Sequence, residues 1–342
     1  MQSWGGRPSP NRSSKDGTAT LMPIPLIIGA GSGLVSAALF ASAATATLLA
    51  GVLFYLAPLP LCLAGLGWGG MAALFSAVTG TVVIAATLGP TTAAVFALSI
   101  AAPTALLAHL ALLSRPAATP NGQVVGALEW YPPGRIVGWA ALIAGLLAAI
   151  LVLMIGYDQE AYRDSIRQIL EHSTLKELDR DGTVFTEQAI TSLSTVLAKA
   201  LPAAFAIIWL TITLFNLWMA ALIVDASGRA RRPWPDLHSF ELPNALVPIF
   251  AGALAASFLP GLPGLLATGL AGALLFAYVL QGLAVIHVYS RGASFRAVLL
   301  AAVYLGILLL GWVALVVAIL GLAEPLLGLR QRGQPPASGG TS

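Results

Sequence analysis

Trp209, Thr213 and Asn216 fall four and three residues apart, which puts an indole N–H, a hydroxyl and a carboxamide on one face of a helix. Within an apolar segment such groups either tie helices together through hydrogen bonds or line a pocket for a neutral polar solute. Gln281, near Tyr278 and His287 in a later apolar run, offers the same chemistry. The stretch 53–70, LFYLAPLPLCLAGLGWGG, adds shape: Pro58 and Pro60 remove two backbone donors, and Gly65, Gly67, Gly69 and Gly70 follow closely. In lipid the carbonyls so freed need a partner from protein or from a water-filled cavity. Tyr55, Pro58, Pro60, Trp68, Trp209, Thr213, Asn216 and Gln281 are therefore the candidate solute-binding set, with helix-tying hydrogen bonds as the plainer role.

Other chemistry is absent from the sequence. There is no zinc-protease helix motif, nucleophile elbow or phosphate loop, and no ionisable residue at the centre of an apolar span, so no enzymatic activity and no carboxylate-based proton path is expected. Lys199 and Asp225 stand at the ends of one span, within snorkelling reach of the interface. Cys62 is the only cysteine, which excludes an intramolecular disulfide. His109 and His287 lack carboxylate partners in helical register and read as packing residues. The segment Glu177–Val184 resembles a calcium loop but places Glu177 and Gln188 where the ends need Asp and Glu. No metal, cofactor or nucleic-acid partner is expected.

The elements that must position these groups are membrane helices. Hydrophobic residues make up 58% of the chain and charged residues 9%, against roughly 25% charged in a soluble domain. The expected fold is all-α: a polytopic transmembrane helical bundle of 8 to 9 spans with one extramembrane amphipathic segment. The organisation reads as a disordered tail over 1–23, a five-span bundle over 24–156, an extracytoplasmic amphipathic segment over 157–192, a bundle of three to four spans over 193–323, and a second tail over 324–342. The seventh apolar segment, about Ala245 to Leu259, is short against the roughly 20 residues a span needs, which keeps both counts open. Tyr162, Ile166, Ile169 and Leu170 give the amphipathic segment one apolar face.

Arg7, Arg12, Lys15, Arg115, Arg135, Arg229, Arg231, Arg232, Arg291 and Arg296 all fall on one side when the N-terminus is cytoplasmic, which predicts a bacterial inner-membrane protein of that orientation. Gly29, Gly33, Ala37 and Ala41 form a small-residue ladder on the first span, and Gly69, Ala73 and Ala77 another on the third. Either ladder suits close helix packing, and the first also offers a face to a membrane partner. The loop Arg229, Arg231, Arg232, Pro233, Trp234, Pro235 combines topogenic charge with a rigid proline frame around one indole, a docking feature for a cytoplasmic partner or anionic lipid.

FYLAPLPLCLAGLGWG, the EWYPPGR loop and RRPWPDLHSFELPNALVP together resemble the YybS-like family of predicted multi-pass bacterial membrane proteins, a domain-of-unknown-function family, over roughly Ile24 to Leu322. That family is thought to be distantly similar to the S components of energy-coupling-factor transporters and to the rod-shape protein MreD. The resemblance implies a helical fold and a small-solute binding or transport subunit working with a partner. In S components a small-residue pattern on the first helix meets the coupling subunit, and Gly29, Gly33, Ala37 and Ala41 match it in kind. The length and the insertion at 157–192 depart from S components. The alternative is a non-enzymatic scaffold of the cell-envelope or division machinery, MreD-like, acting through the outer helix and the basic loop.

Overall fold

Proline and glycine cut the apolar segments into more helices than there are membrane crossings. The computed structural model describes residues 23–118, 124–156, 158–171, 186–235 and 240–327. The helices are α1 (Pro23–Ala41), α2 (Leu48–Tyr55), α3 (Pro58–Trp68), α4 (Gly70–Leu88), α5 (Pro90–Phe96), α6 (Ala102–Ala111), α7 (Pro133–Ile155), α8 (Gln159–Glu171), α9 (Glu187–Ala226), α10 (Leu246–Ser257), α11 (Leu262–Tyr289), α12 (Arg296–Leu310) and α13 (Trp312–Leu327). A 3₁₀ turn, Ser42–Thr45, closes α1, and a π turn, Ala97–Ala101, joins α5 to α6 as one bent span. Strands β1 (Ser114–Ala118) and β2 (Val124–Trp130) pair antiparallel, with Arg115 opposite Glu129.

Among the described residues, seven segments are long and apolar enough to cross a bilayer: α1 with its 3₁₀ turn, α2–α3, α4, α5–α6, α7, α9 and α11. The seventh segment expected from the sequence is only the 12-residue α10. The last expected span, about Ala297 to Leu322, is broken at Gly311, whose φ of 62° ends α12. Its second half runs on to Leu327, so the helix takes in Glu324, at the expected start of the C-terminal tail. The residues leading into EWYPPGR form the β1–β2 hairpin, an element the apolar pattern does not announce. The N-terminal tail, the calcium-like loop and the residues beyond 327 lie outside the described residues.

Small residues decide how the helices approach. On α1, Gly29 and Gly33 press against α4: a Cβ on Gly29 would lie 2.7 Å from the Ala72 carbonyl, and one on Gly33 would meet the Ser76 carbonyl and lie 2.9 Å from the Gly80 nitrogen. Ala37 is buried behind them, Ala41 packs against the same core, and Ala73 and Ala77 are buried on α4. The first-helix ladder packs within the chain, against α4. The second core joins α3, α6, α7, α9, α11 and α13. Gly272 of α11 seats on Ala203 of α9, and Gly269 on Ala148 of α7. A third core tucks α8 under the far end of α7, with Tyr162 and Ile166 buried and Ile169 exposed. The Thr186 hydroxyl caps α9 by accepting from the Ala189 amide. The 40 residues of α9 extend about 60 Å, twice the roughly 30 Å hydrocarbon core, so its first turns stand clear of the membrane beside α8.

Candidate functional site

The break inside the second span comes from Pro58 and Pro60. Without a Pro58 N–H the helix tightens at 54–57, where Ala57 donates to the Phe54 carbonyl and Leu59 to the Leu56 carbonyl, leaving the Tyr55 carbonyl without a helical donor. Asn216 of α9 supplies one: its Nδ2 donates to the Tyr55 carbonyl at 2.9 Å and to Ile212 of its own helix at 2.8 Å. The Ser36 hydroxyl on α1 donates to the Ala57 carbonyl, two residues on from Tyr55, at 2.6 Å. The same logic repeats two turns back along α9. Pro103 has no N–H for the Ser99 carbonyl four residues before it, the helix widens into the π turn, and Trp209 Nε1 donates to that carbonyl at 2.7 Å. It repeats again in α13, where Pro325 strips the Gly321 carbonyl of its donor and Gln281 Nε2 of α11 donates to it at 2.8 Å. Gln281 Oε1 meanwhile accepts from the Leu242 amide at 2.8 Å.

These contacts reassign the candidate solute-binding set. Tyr55 contributes its carbonyl while its side chain is half exposed; Pro58, Pro60, Thr213, Asn216 and Gln281 are buried among helices. Trp68 ends α3 under the Arg229 guanidinium, 4.9 Å from the ring centre. None of the eight borders the cleft described next or the two shallower grooves on α4–α6 and on α7, α10 and α11. Trp209, Asn216 and Gln281 cap three separate carbonyls. His109 rests on Gly70, as packing. Among the described residues no cluster of three His, Cys, Asp or Glu side chains suited to a metal occurs. One feature was missed: Glu324 is buried in α13, next to the proline that frees Gly321.

The cleft lies where the basic loop returns to the bundle. About 300 Å³ in volume, it is walled by Ile136 and Val137 of α7 and by Leu214, Leu217 and Ala221 of α9, floored by Leu66 and Ala111, and roofed by Arg231, Arg232, Pro233 and Trp234. The loop is pinned residue by residue. Arg229 stacks on Trp68. Arg231 lies across Gly69, where a Cβ would be 3.0 Å from its Nη1, and the φ of 101° there also suits glycine alone. Arg232 donates from Nη1 to the Ala111 carbonyl at 3.1 Å, at the C-terminal end of α6, where the helix dipole favours a cation. Burial holds the Arg232 guanidinium below its ordinary pKa. The ion pairs among the described residues are Arg115–Glu129, Arg167–Glu171 and Arg167–Glu187, so neither roof arginine is neutralised by a carboxylate. The hairpin stands beside this same end, and Tyr131 accepts a hydrogen bond from Trp139 Nε1 at 3.1 Å.

An assembly of apolar helices with interhelical carbonyl caps and a basic loop at one end defines an integral, multi-pass membrane protein. Residues 34–324 match the model of the family described as "Predicted membrane protein (DUF2232)", and the chain belongs to that family. No curated protein and no solved structure matches it.

Proposed function

We propose that this chain is a non-enzymatic binding protein of the bacterial inner membrane, with its N-terminus in the cytoplasm, and that its working site is the cleft beneath Arg229–Pro235. The reading stands nearer to an MreD-like scaffold than to an S-component-like solute carrier. One observation carries it: Asn216, Trp209 and Gln281, the side chains best suited to hold a polar solute, donate to backbone carbonyls. A concave space at the loop is lined by apolar side chains and has cations at its rim. Grouping Arg115, Arg135, Arg229, Arg231 and Arg232 at one end supports a cytoplasmic placement for that end.

Native mass spectrometry of the gently purified chain tests the reading. Ala221→Phe places a ring in the cleft, and a co-purifying molecule held by the wild type is expected to be lost from this variant. A small polar solute that survives Ala221→Phe and falls away with Thr213→Val overturns the reading in favour of a central solute site.

A further inference from the structure

The roof and walls of the cleft ask for different things from one ligand. Arg231 and Arg232 face it, neither paired with a carboxylate among the described residues, and the hydrogen bond of Arg232 to Ala111 uses one of the five N–H groups a guanidinium offers. Asp225, at the same rim, leaves the local balance positive. Below the rim the lining is aliphatic. From Asp225 to Leu214 the cleft follows α9 for roughly 17 Å, against a hydrocarbon depth of about 15 Å for one leaflet. A free phosphate ester would gain nothing from those walls, and an acidic peptide would have to bury its backbone at bilayer depth. An anionic head on an acyl chain satisfies both halves.

We infer that the cleft is a phospholipid site, in which the phosphate of an anionic lipid lies at Arg231 and Arg232 and one acyl chain descends between α7 and α9. This rests on the cleft being the working site and adds the class of its occupant. Trp234, framed by Pro233 and Pro235, flanks the entry at the depth where indole rings settle in a bilayer, and Trp218 lies two turns below Asp225 along the α9 wall. Gly69 is part of the site through geometry: a side chain there displaces Arg231. The stretch GWGG thus serves as the bed on which the basic loop lies, Trp68 under Arg229 and Gly69 under Arg231.

The test titrates delipidated full-length protein in a neutral detergent with phosphatidylglycerol or phosphatidylcholine of identical chains, read by native mass spectrometry. Phosphatidylglycerol is expected to bind in preference, with the preference falling about fivefold for each of Arg231→Gln and Arg232→Gln and persisting in the lysine variants. Ala221→Phe is expected to remove both lipids. Should Arg232→Gln melt below the wild type because its bond to Ala111 is gone, Arg231→Gln, which breaks no hydrogen bond, decides. Equal binding of the two lipids, both lost in Ala221→Phe, overturns the anionic assignment while leaving the cleft as a binding site. Undiminished phosphatidylglycerol binding in Ala221→Phe places the lipid elsewhere and removes the cleft reading as well.

Discussion

At the scale of single residues, the polar groups within the membrane answer to prolines on other helices. An unpaired carbonyl in hydrocarbon costs several kcal/mol, so each proline in a span creates a demand that some neighbour must meet. Trp209 meets the one created by Pro103. A double-mutant cycle isolates that bond. Trp209→Phe is expected to destabilise the chain less when Pro103 is already Ala, because residue 103 then supplies its own N–H to Ser99. The coupling should be about 0.6 to 1.7 kcal/mol, the range for hydrogen bonds between membrane helices. Additive losses in reversible unfolding would show that Trp209 contributes through packing alone. The sequence marks the acceptors in two of these pairs, since Pro103 and Pro325 each name the carbonyl four residues before them, whereas Tyr55 is freed by the tightening of the helix ahead of Pro58. It does not mark the donors: Trp209 lies 110 positions from Ser99. That is why Trp209, Asn216 and Gln281 stand out in the sequence as groups that either tie helices together or line a pocket, while their partners do not.

At the scale of elements, α8 is held by a titratable core residue. Tyr162 is fully buried against α7 and α9, its hydroxyl has no hydrogen-bond partner among the described residues, and burial pushes its pKa from an ordinary 10.0 up to about 12. The docked phenol keeps its proton where the undocked one loses it. Docking is therefore at full strength below pH 10 and weakens as pH climbs from there toward 12. Hydrogen exchange of the α8 amides should accelerate over that window in the wild type and stay flat in Tyr162→Phe. The same variant should be more stable at neutral pH by about 1 kcal/mol, because it removes an unpaired buried hydroxyl. Faster exchange in Tyr162→Phe at neutral pH would mean that the hydroxyl has a partner. The apolar face of α8 was legible from Tyr162, Ile166 and Leu170, whereas exposed Ile169 fell outside it because the neighbouring helices cover only one narrow stripe. The break at Gly311 was not legible, since glycine is tolerated within membrane helices and hydropathy runs unbroken across it.

At the scale of the whole molecule, the α1–α4 contact fixes how the first span joins the rest. Gly33→Leu drives a side chain into the α4 backbone and is expected to cost at least 1 to 3 kcal/mol. Gly31→Leu, which meets open space, should leave resistance to detergent unfolding unchanged. Equal behaviour of the two variants would mean that α1 packs in another register. Leucine at Gly29 or Gly33 consequently reports on folding before it can report on any partner. What the sequence determined by itself was the solvent: with 9% charged residues and long apolar runs, the chain has to lie in a bilayer as helices, because only there are those side chains and their backbone groups both satisfied. It also located the small residues that permit close approach and the prolines that free carbonyls. Only the tertiary structure decided which helix takes the glycine ladder of α1, which side chain caps each freed carbonyl, and that the loop Arg229–Pro235 folds back over Trp68 and Gly69 to roof an apolar cleft. These are pairings between residues far apart in the chain. Hydropathy sets the depth at which a residue sits, but many neighbours share that depth, and only packing selects among them.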